Sequence, residues 1–162
     1  MSNSTFNRLR PQGGGGVPLG LSYTSLLNVA YINLNCLSNK VSYVDNLLKS
    51  NNINILGVGE TWLVSSVTDS FVEIPDYKLI RRDDPSNIRK HGVAMYVKDN
   101  LKYVEVPCNM KNVVIIKLVD QDIFILSVYR PPGSSYSNGE NTLLVNTLRE
   151  FCSDKEVIIL GD

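Results

Sequence analysis

Short apolar runs alternate along the chain with two stretches whose apolar residues recur at helical spacing. Leu27-Asn28-Val29-Ala30-Tyr31-Ile32 is rich in β-branched and aromatic residues and breaks at Asn33, as a buried strand ending at a loop would. Ser38-Asn39-Lys40 opens a helical period in which Val41, Val44, Leu47 and Leu48 form one stripe, and Asn51-Asn52 close it. Ile53 to Gly59 reads as a second buried strand, ending at Glu60. Strand, helix and strand within about 35 residues predict a βαβ unit, a parallel pair joined by a crossover.

The middle is strand-rich. Tyr77–Arg82, Gly92–Val97, Leu101–Val106, Val113–Val119 and Ile123–Tyr129 are short β-prone runs. The clusters Asp83–Asn87, Lys98–Asn100, Pro107–Asn112 and Asp120–Asp122 separate them as turns. Such close spacing favours antiparallel hairpins and a meander. A Pro/Gly/Ser loop over Pro131–Gly139 leads to a helix with Leu144, Leu148 and Phe151 on one face. Val157-Ile158-Ile159-Leu160 then predicts a last buried strand, before Gly161-Asp162. The order is α/β with an antiparallel block in the middle, which suggests sheets faced by helices. Residues 1–25 differ: Ser, Asn, Gly and Pro dominate, with four consecutive glycines, and too little apolar surface is present to offset ordering entropy. They are expected to form a flexible tail before a domain over 26–162.

Composition narrows the function classes. A length of 162 residues suits one domain, and 43% apolar residues suffice for one core, which excludes a mostly disordered, collagenous or disulfide-dense chain. Sixteen Lys and Arg balance sixteen Asp and Glu, so any polyanionic partner must be held at a local site rather than by a global positive field. Cys36, Cys108 and Cys152 are widely spaced and form no CxxC pair, which points to a reduced intracellular compartment, nuclear or cytoplasmic. No apolar run approaches ~18 residues, so no membrane partner is expected. Arg8 and Arg10 are followed by Gly13–Gly16 and Pro18 rather than an apolar segment, which argues against secretion.

Four strand-like runs finish on polar groups: Asn33, Glu60, Tyr129 with Arg130, and Asp162. Taken singly each has an ordinary explanation, as a turn-forming Asn, a solvated loop carboxylate, a core-edge tyrosine and a frayed end. Together they offer two carboxylates, an amide and a phenol at positions where α/β sheets gather ligands. Two carboxylates could hold a hard divalent cation such as Mg2+, while an amide and a phenol can donate to phosphate oxygens. The residues themselves carry the reading as far as a metal-assisted phosphoester site.

The ordered strings Tyr31–Lys40 (YINLNCLSNK), Gly59–Leu63 (GETWL), Arg81-Arg82-Asp83, Gly92–Val97 (GVAMYV), Val128–Gly133 (VYRPPG) and Ile158–Asp162 (IILGD) sharpen this. In them the chain resembles the endonuclease/exonuclease/phosphatase superfamily, most closely the apurinic-type endonuclease domain of non-long-terminal-repeat retrotransposon polyproteins. The resemblance runs from about residue 27 to residue 162. It implies a four-layer α/β/β/α sandwich, here incomplete and truncated in its C-terminal half. It also implies Mg2+-dependent, or Mn2+-dependent, hydrolysis of a DNA phosphodiester. By the same resemblance Glu60 is the principal metal ligand, with Asn35 near the metal. Asn33 fixes the catalytic network, Tyr129 approaches the scissile phosphate, and Asp162 orients or activates the attacking water. Arg130 is expected either to contact phosphate or to make a structural pair.

Departures from the family pattern set further expectations. The Asn of G-D-x-N, a later Asp and a C-terminal Asp-His pair are absent from the 162 residues, and the sole histidine, His91, falls where relatives usually carry glycine. The chain is therefore expected to be a weakly active or inactive part of an endonuclease, completed by the remainder of a polyprotein or another chain. Most of the second sheet is expected to be missing, leaving apolar faces without their usual partner and a sheet edge open. The alternatives are a non-catalytic interaction module, or a relative acting on RNA, inositol phosphate or a lipid phosphodiester.

Overall fold

In a computed structural model, residues 5–8, 26–85, 90–131 and 137–162 are described. Nine strands and two helices follow in the order β1 (Thr5–Arg8), β2 (Asn28–Asn33), α1 (Val41–Ser50), β3 (Ile55–Gly59), β4 (Tyr77–Arg82), β5 (Val93–Lys98), β6 (Tyr103–Glu105), β7 (Val113–Leu118), β8 (Ile123–Val128), α2 (Asn138–Cys152) and β9 (Val157–Gly161). A 3-10 turn spans Asp69–Phe71. The first sheet has the order β1-β2-β3-β5-β4, the second β6-β7-β8-β9.

The βαβ expectation holds: β2 and β3 pair in parallel, with Asn33 opposite Gly59. A second parallel pair, β8 and β9, is joined through α2, with Val128 opposite Gly161. The expected meander is divided between the sheets: β4–β5 is an antiparallel hairpin of the first, while β6-β7-β8 run antiparallel in the second. From the region expected to form a tail, Thr5–Arg8 pairs antiparallel with β2, and 1–4 and 9–25 lie outside the described residues. The Pro131–Gly139 loop also falls largely outside them, and its last two residues already belong to α2.

Period-two alternation sorts the side chains into layers. Ala30, Ile32, Leu56, Val58, Ala94 and Tyr96 face α1, meeting Val44 and Leu48. Val29, Ile55, Val93, Met95 and Val97 point the other way and meet Val114, Ile116, Leu118, Ile125 and Leu160 of the second sheet. The outer face of that sheet, Val113, Ile115, Leu126 and Val128, packs on Leu144 and Phe151 of α2. The result is the expected α/β/β/α sandwich.

Two expectations are corrected. The first sheet does not lack its partner: four strands of the second sheet cover it. The final strand is not buried along its length, since only Leu160 is buried and Ile159 is 45% exposed. The reason is position, because β9 lies at the sheet edge and α2 reaches it only at Val157.

The helix ends also differ in how they are capped. α2 begins with a capping box, in which Ser137 accepts from the Glu140 N–H at 3.2 Å and Glu140 accepts from the Ser137 N–H at 2.7 Å. α1 has no side-chain cap, and Lys40 before it instead directs its ammonium to the carbonyls of Leu34 and Asn35. No helix among the described residues is long and apolar enough to cross a membrane.

Candidate active site

The two parallel pairs explain how distant residues converge. Parallel neighbours present their C-terminal ends side by side, and here both pairs end at the same rim of the sandwich. Asn33 is the last residue of β2, and Glu60, Tyr129 and Asp162 each follow directly on β3, β8 and β9. The Asn33 Nδ2 donates to Glu60 Oε1 at 2.9 Å and to Asp162 Oδ2 at 3.3 Å. The Tyr129 hydroxyl donates to the same Glu60 Oε1 at 2.7 Å. All four sequence-predicted catalytic residues therefore form one hydrogen-bonded cluster.

Glu60 and Asn33 are half-buried, Tyr129 is buried and Asp162 is exposed, so the cluster has a closed floor and an open top. Burial pushes the Tyr129 phenol well above its usual pKa, reinforced by its bond to Glu60 and by the charges of Glu60 and Asp162. Tyr129 thus remains a protonated donor at neutral pH.

The loops that hold these groups are zipped together beyond the strands. Leu34 N–H donates to Gly59 O at 3.1 Å, Cys36 N–H to Glu60 O at 2.9 Å, and Leu37 N–H to Thr61 O at 2.8 Å. Within them Asn35, Cys36, Glu60 and Trp62 all have left-handed φ, between 47° and 88°. Left-handed backbone at non-glycine residues costs energy and persists where surrounding contacts dictate it, a feature that clusters at functional sites. Gly92 sits at φ 93°, and a Cβ there would lie 2.4 Å from Thr61 Oγ1, so both conformation and close approach require glycine.

The remaining sequence candidates have more specific places. Asn35 is exposed; its N–H donates to Asn33 Oδ1 at 3.3 Å and its carbonyl accepts from Lys40. Of the two expectations for Arg130, the structure contains the pair: its Nε donates to Asn141 Oδ1 at 2.9 Å, and its N–H holds the Asp162 carbonyl at 3.0 Å. Arg81 and Asp83, quoted above only as part of a string, form a partly buried clamp. Arg81 bonds Asp83, Asp69 and the carbonyls of Val64 and Val67, and so fastens the loop that follows Glu60.

Three residues at this rim were given no site role by the sequence reading. Tyr31 lies on the inter-sheet face of β2 with its hydroxyl buried and without a partner among the described residues, packed so close that a Cβ on Gly59 would meet it at 2.0 Å. The usable signal was the pair Gly57 and Gly59 on the neighbouring strand, small residues facing a large one. His91, expected at a loop or strand start, places its ring centroid 6.3 Å from that of Tyr129. Asn112 is almost fully buried between the strand ends, and nothing in its sequence context marks it.

The donor set suits a hard cation. Both bonds to Glu60 fall on Oε1, and among the described residues Oε2 accepts none, while the second carboxylate, Asp162, is open to solvent. Mg2+ commonly takes one or two carboxylates and completes its shell with water and phosphate. Among the described residues there is no group of three or more His, Cys, Asp and Glu arranged to hold a metal ion by itself.

No family model and no curated protein sequence matches the chain. Solved structures do. An AP endonuclease from Leishmania major matches with a TM-score of 0.65 at 13% identity, over 82% of this chain and 53% of that one. The catalytic domain of Xenopus laevis APE2 matches with a TM-score of 0.63 at 17% identity, over 83% and 57%. The endonuclease domain of TRAS1, a telomere-specific non-LTR retrotransposon, matches with a TM-score of 0.59 at 14% identity, over 83% and 57%. The chain therefore has the endonuclease/exonuclease/phosphatase fold, and it spans about half the length of these structures.

Proposed function

We propose that the cluster is the metal- and phosphate-binding part of a Mg2+-dependent phosphodiester hydrolase acting on DNA, of the kind found in non-LTR retrotransposon polyproteins. One observation carries this reading: a single amide, Asn33 Nδ2, bonds two carboxylates that lie 102 residues apart in sequence (162 − 60) at the ends of strands in different sheets. A purely structural site would gain little from holding two like charges together, since they repel unless a cation or donors compensate. The likeness to AP endonucleases and to the TRAS1 domain supports the fold on which such chemistry is built. The retrotransposon assignment rests on the resemblance of Glu60-Thr61-Trp62 and Tyr129-Arg130-Pro131-Pro132.

In this reading Glu60 and Asn35 would hold the ion, with Asp162 beside them. The chemistry supplied by bound Mg2+, or Mn2+, is neutralisation of charge at the phosphate and the departing oxygen. Asn33 keeps both carboxylates in place. Tyr129, locked in its protonated form, has one O–H, which would pass from Glu60 to a phosphate oxygen as charge develops there. Asp162, exposed at the open top, accepts a hydrogen bond from the attacking water and orients it.

Calorimetric titration with Mn2+ tests the proposal, alongside nicking of supercoiled plasmid. Glu60→Gln should weaken Mn2+ binding at least about tenfold, and any nicking should vanish in Glu60→Ala. Unchanged Mn2+ affinity in Glu60→Gln would overturn the assignment.

A further inference from the structure

The contact between Tyr129 and Glu60 is one side of a closed circuit. The Tyr129 N–H donates to the Asn112 carbonyl at 3.0 Å, and Asn112 Oδ1 accepts from the Gly92 N–H at 3.1 Å. The Gly92 carbonyl accepts from the Thr61 N–H at 3.2 Å, and Thr61 is the residue after Glu60. From Glu60 the circuit returns to Tyr129 through the phenol. It crosses from the first sheet, at the start of β5, to the second, at the start of β7 and the end of β8.

We propose that Asn112 is a positioning residue that sets the reach of the Tyr129 hydroxyl to Glu60 by tying the site ends of the two sheets together. Calling that contact catalytic rests on the functional reading above; the positioning itself does not.

The residue type fits the task on three counts. Asn112 has φ 59°, a conformation that asparagine tolerates better than most side chains. It is 1% exposed, so its bonds are shielded from competing water. Its Nδ2 is buried with no partner among the described residues. A residue chosen for stability alone would not leave that donor unsatisfied. The side chain is held for its oxygen, which receives Gly92, while its own backbone carbonyl receives Tyr129. One residue thereby fixes two strand ends in different sheets.

The experiment reads Tyr129 directly, by NMR of protein carrying 13C-labelled tyrosine. The Tyr129 ring signal is assigned by its loss in Tyr129→Phe, and Glu60→Ala supplies the signal of a phenol without its acceptor. Asn112→Gly keeps the left-handed backbone and the carbonyl but removes Oδ1, and its Tyr129 signal should move toward the Glu60→Ala position. Leu118→Ala, a fully buried truncation at the far end of β7, should destabilise the fold and leave the signal in place. If Asn112→Gly does not fold, Asn112→Ser, with a shorter acceptor, carries the same expectation. An unmoved Tyr129 signal in the folded variant, or an equal shift in Leu118→Ala, overturns the proposal. Mn2+ affinity, measured in parallel, fails only if the functional reading fails, so the two are separable.

Discussion

Gly59→Ala tests how the floor of the candidate site is packed. The new Cβ would lie 2.0 Å from the Tyr31 hydroxyl oxygen and 3.0 Å from Tyr31 Cζ, where ordinary contact begins near 3.4 Å. Tyr31 has little room to withdraw, because Gly57 flanks the same ring, its own Cβ position lying 3.1 Å from Tyr31 Cδ2. Overpacking of this kind costs about 1–3 kcal/mol. Tyr31→Phe deletes the atom in the worst clash and leaves only the 3.0 Å approach, which a shift of a few tenths of an ångström relieves. Because the hydroxyl is buried without a partner, Tyr31→Phe alone should be neutral or stabilising by about 1 kcal/mol. The double variant should therefore recover most of the loss, with a coupling of about 1–2 kcal/mol. Equilibrium urea unfolding of the four proteins measures this, provided their m-values agree. A coupling below about 0.5 kcal/mol would mean that Tyr31 does not lie against Gly59.

Glu140, hydrogen-bonded by Lys111 and by the Ser137 backbone and hydroxyl, has its pKa lowered from 4.5 to about 2. Its contribution is therefore fully present above pH 4.5 and is lost as pH falls toward 2. The Tm difference between wild type and Glu140→Gln should shrink between pH 6 and pH 2.5, and a constant difference would refute the assignment. Arg81, 13% exposed and bonded to two carboxylates and two carbonyls, should cost about 3 kcal/mol when replaced by Met. Hydrogen exchange should rise first in residues 64–69. Ile159→Lys should change stability by less than about 0.5 kcal/mol and reduce self-association in light scattering, because its side chain stands half-exposed on an edge strand.

The sequence was most legible where pattern and burial coincide. β4 falls on Tyr77–Arg82 as expected, and the α1 stripe places Val44 and Leu48 in the core. Strand-end polarity located Asn33, Glu60, Tyr129 and Asp162, and parallel pairing is the physical reason they meet. Burial of β9 was misjudged because an apolar run has the same composition at a sheet's edge as at its centre. The second sheet was underestimated because local spacing predicts a hairpin without saying which sheet receives it. Tyr31 and Asn112 were invisible for a related reason. Their significance lies in the atoms opposite them, and those come from other strands. The Lys40 ammonium was read as part of a helix start, whereas its bonds run backward to the loop holding Asn35.

The bond between Asn33 and Asp162 spans 129 residues, most of the chain. Closing so long a loop costs entropy that only later contacts repay. During synthesis, β2 and β3 can pair while β9 is still being made, but no carboxylate pair exists until residue 162 arrives. The cluster is thus a late event in folding. A partly made or partly folded chain presents Glu60 without its second carboxylate, and Asn33 then has a single acid to hold.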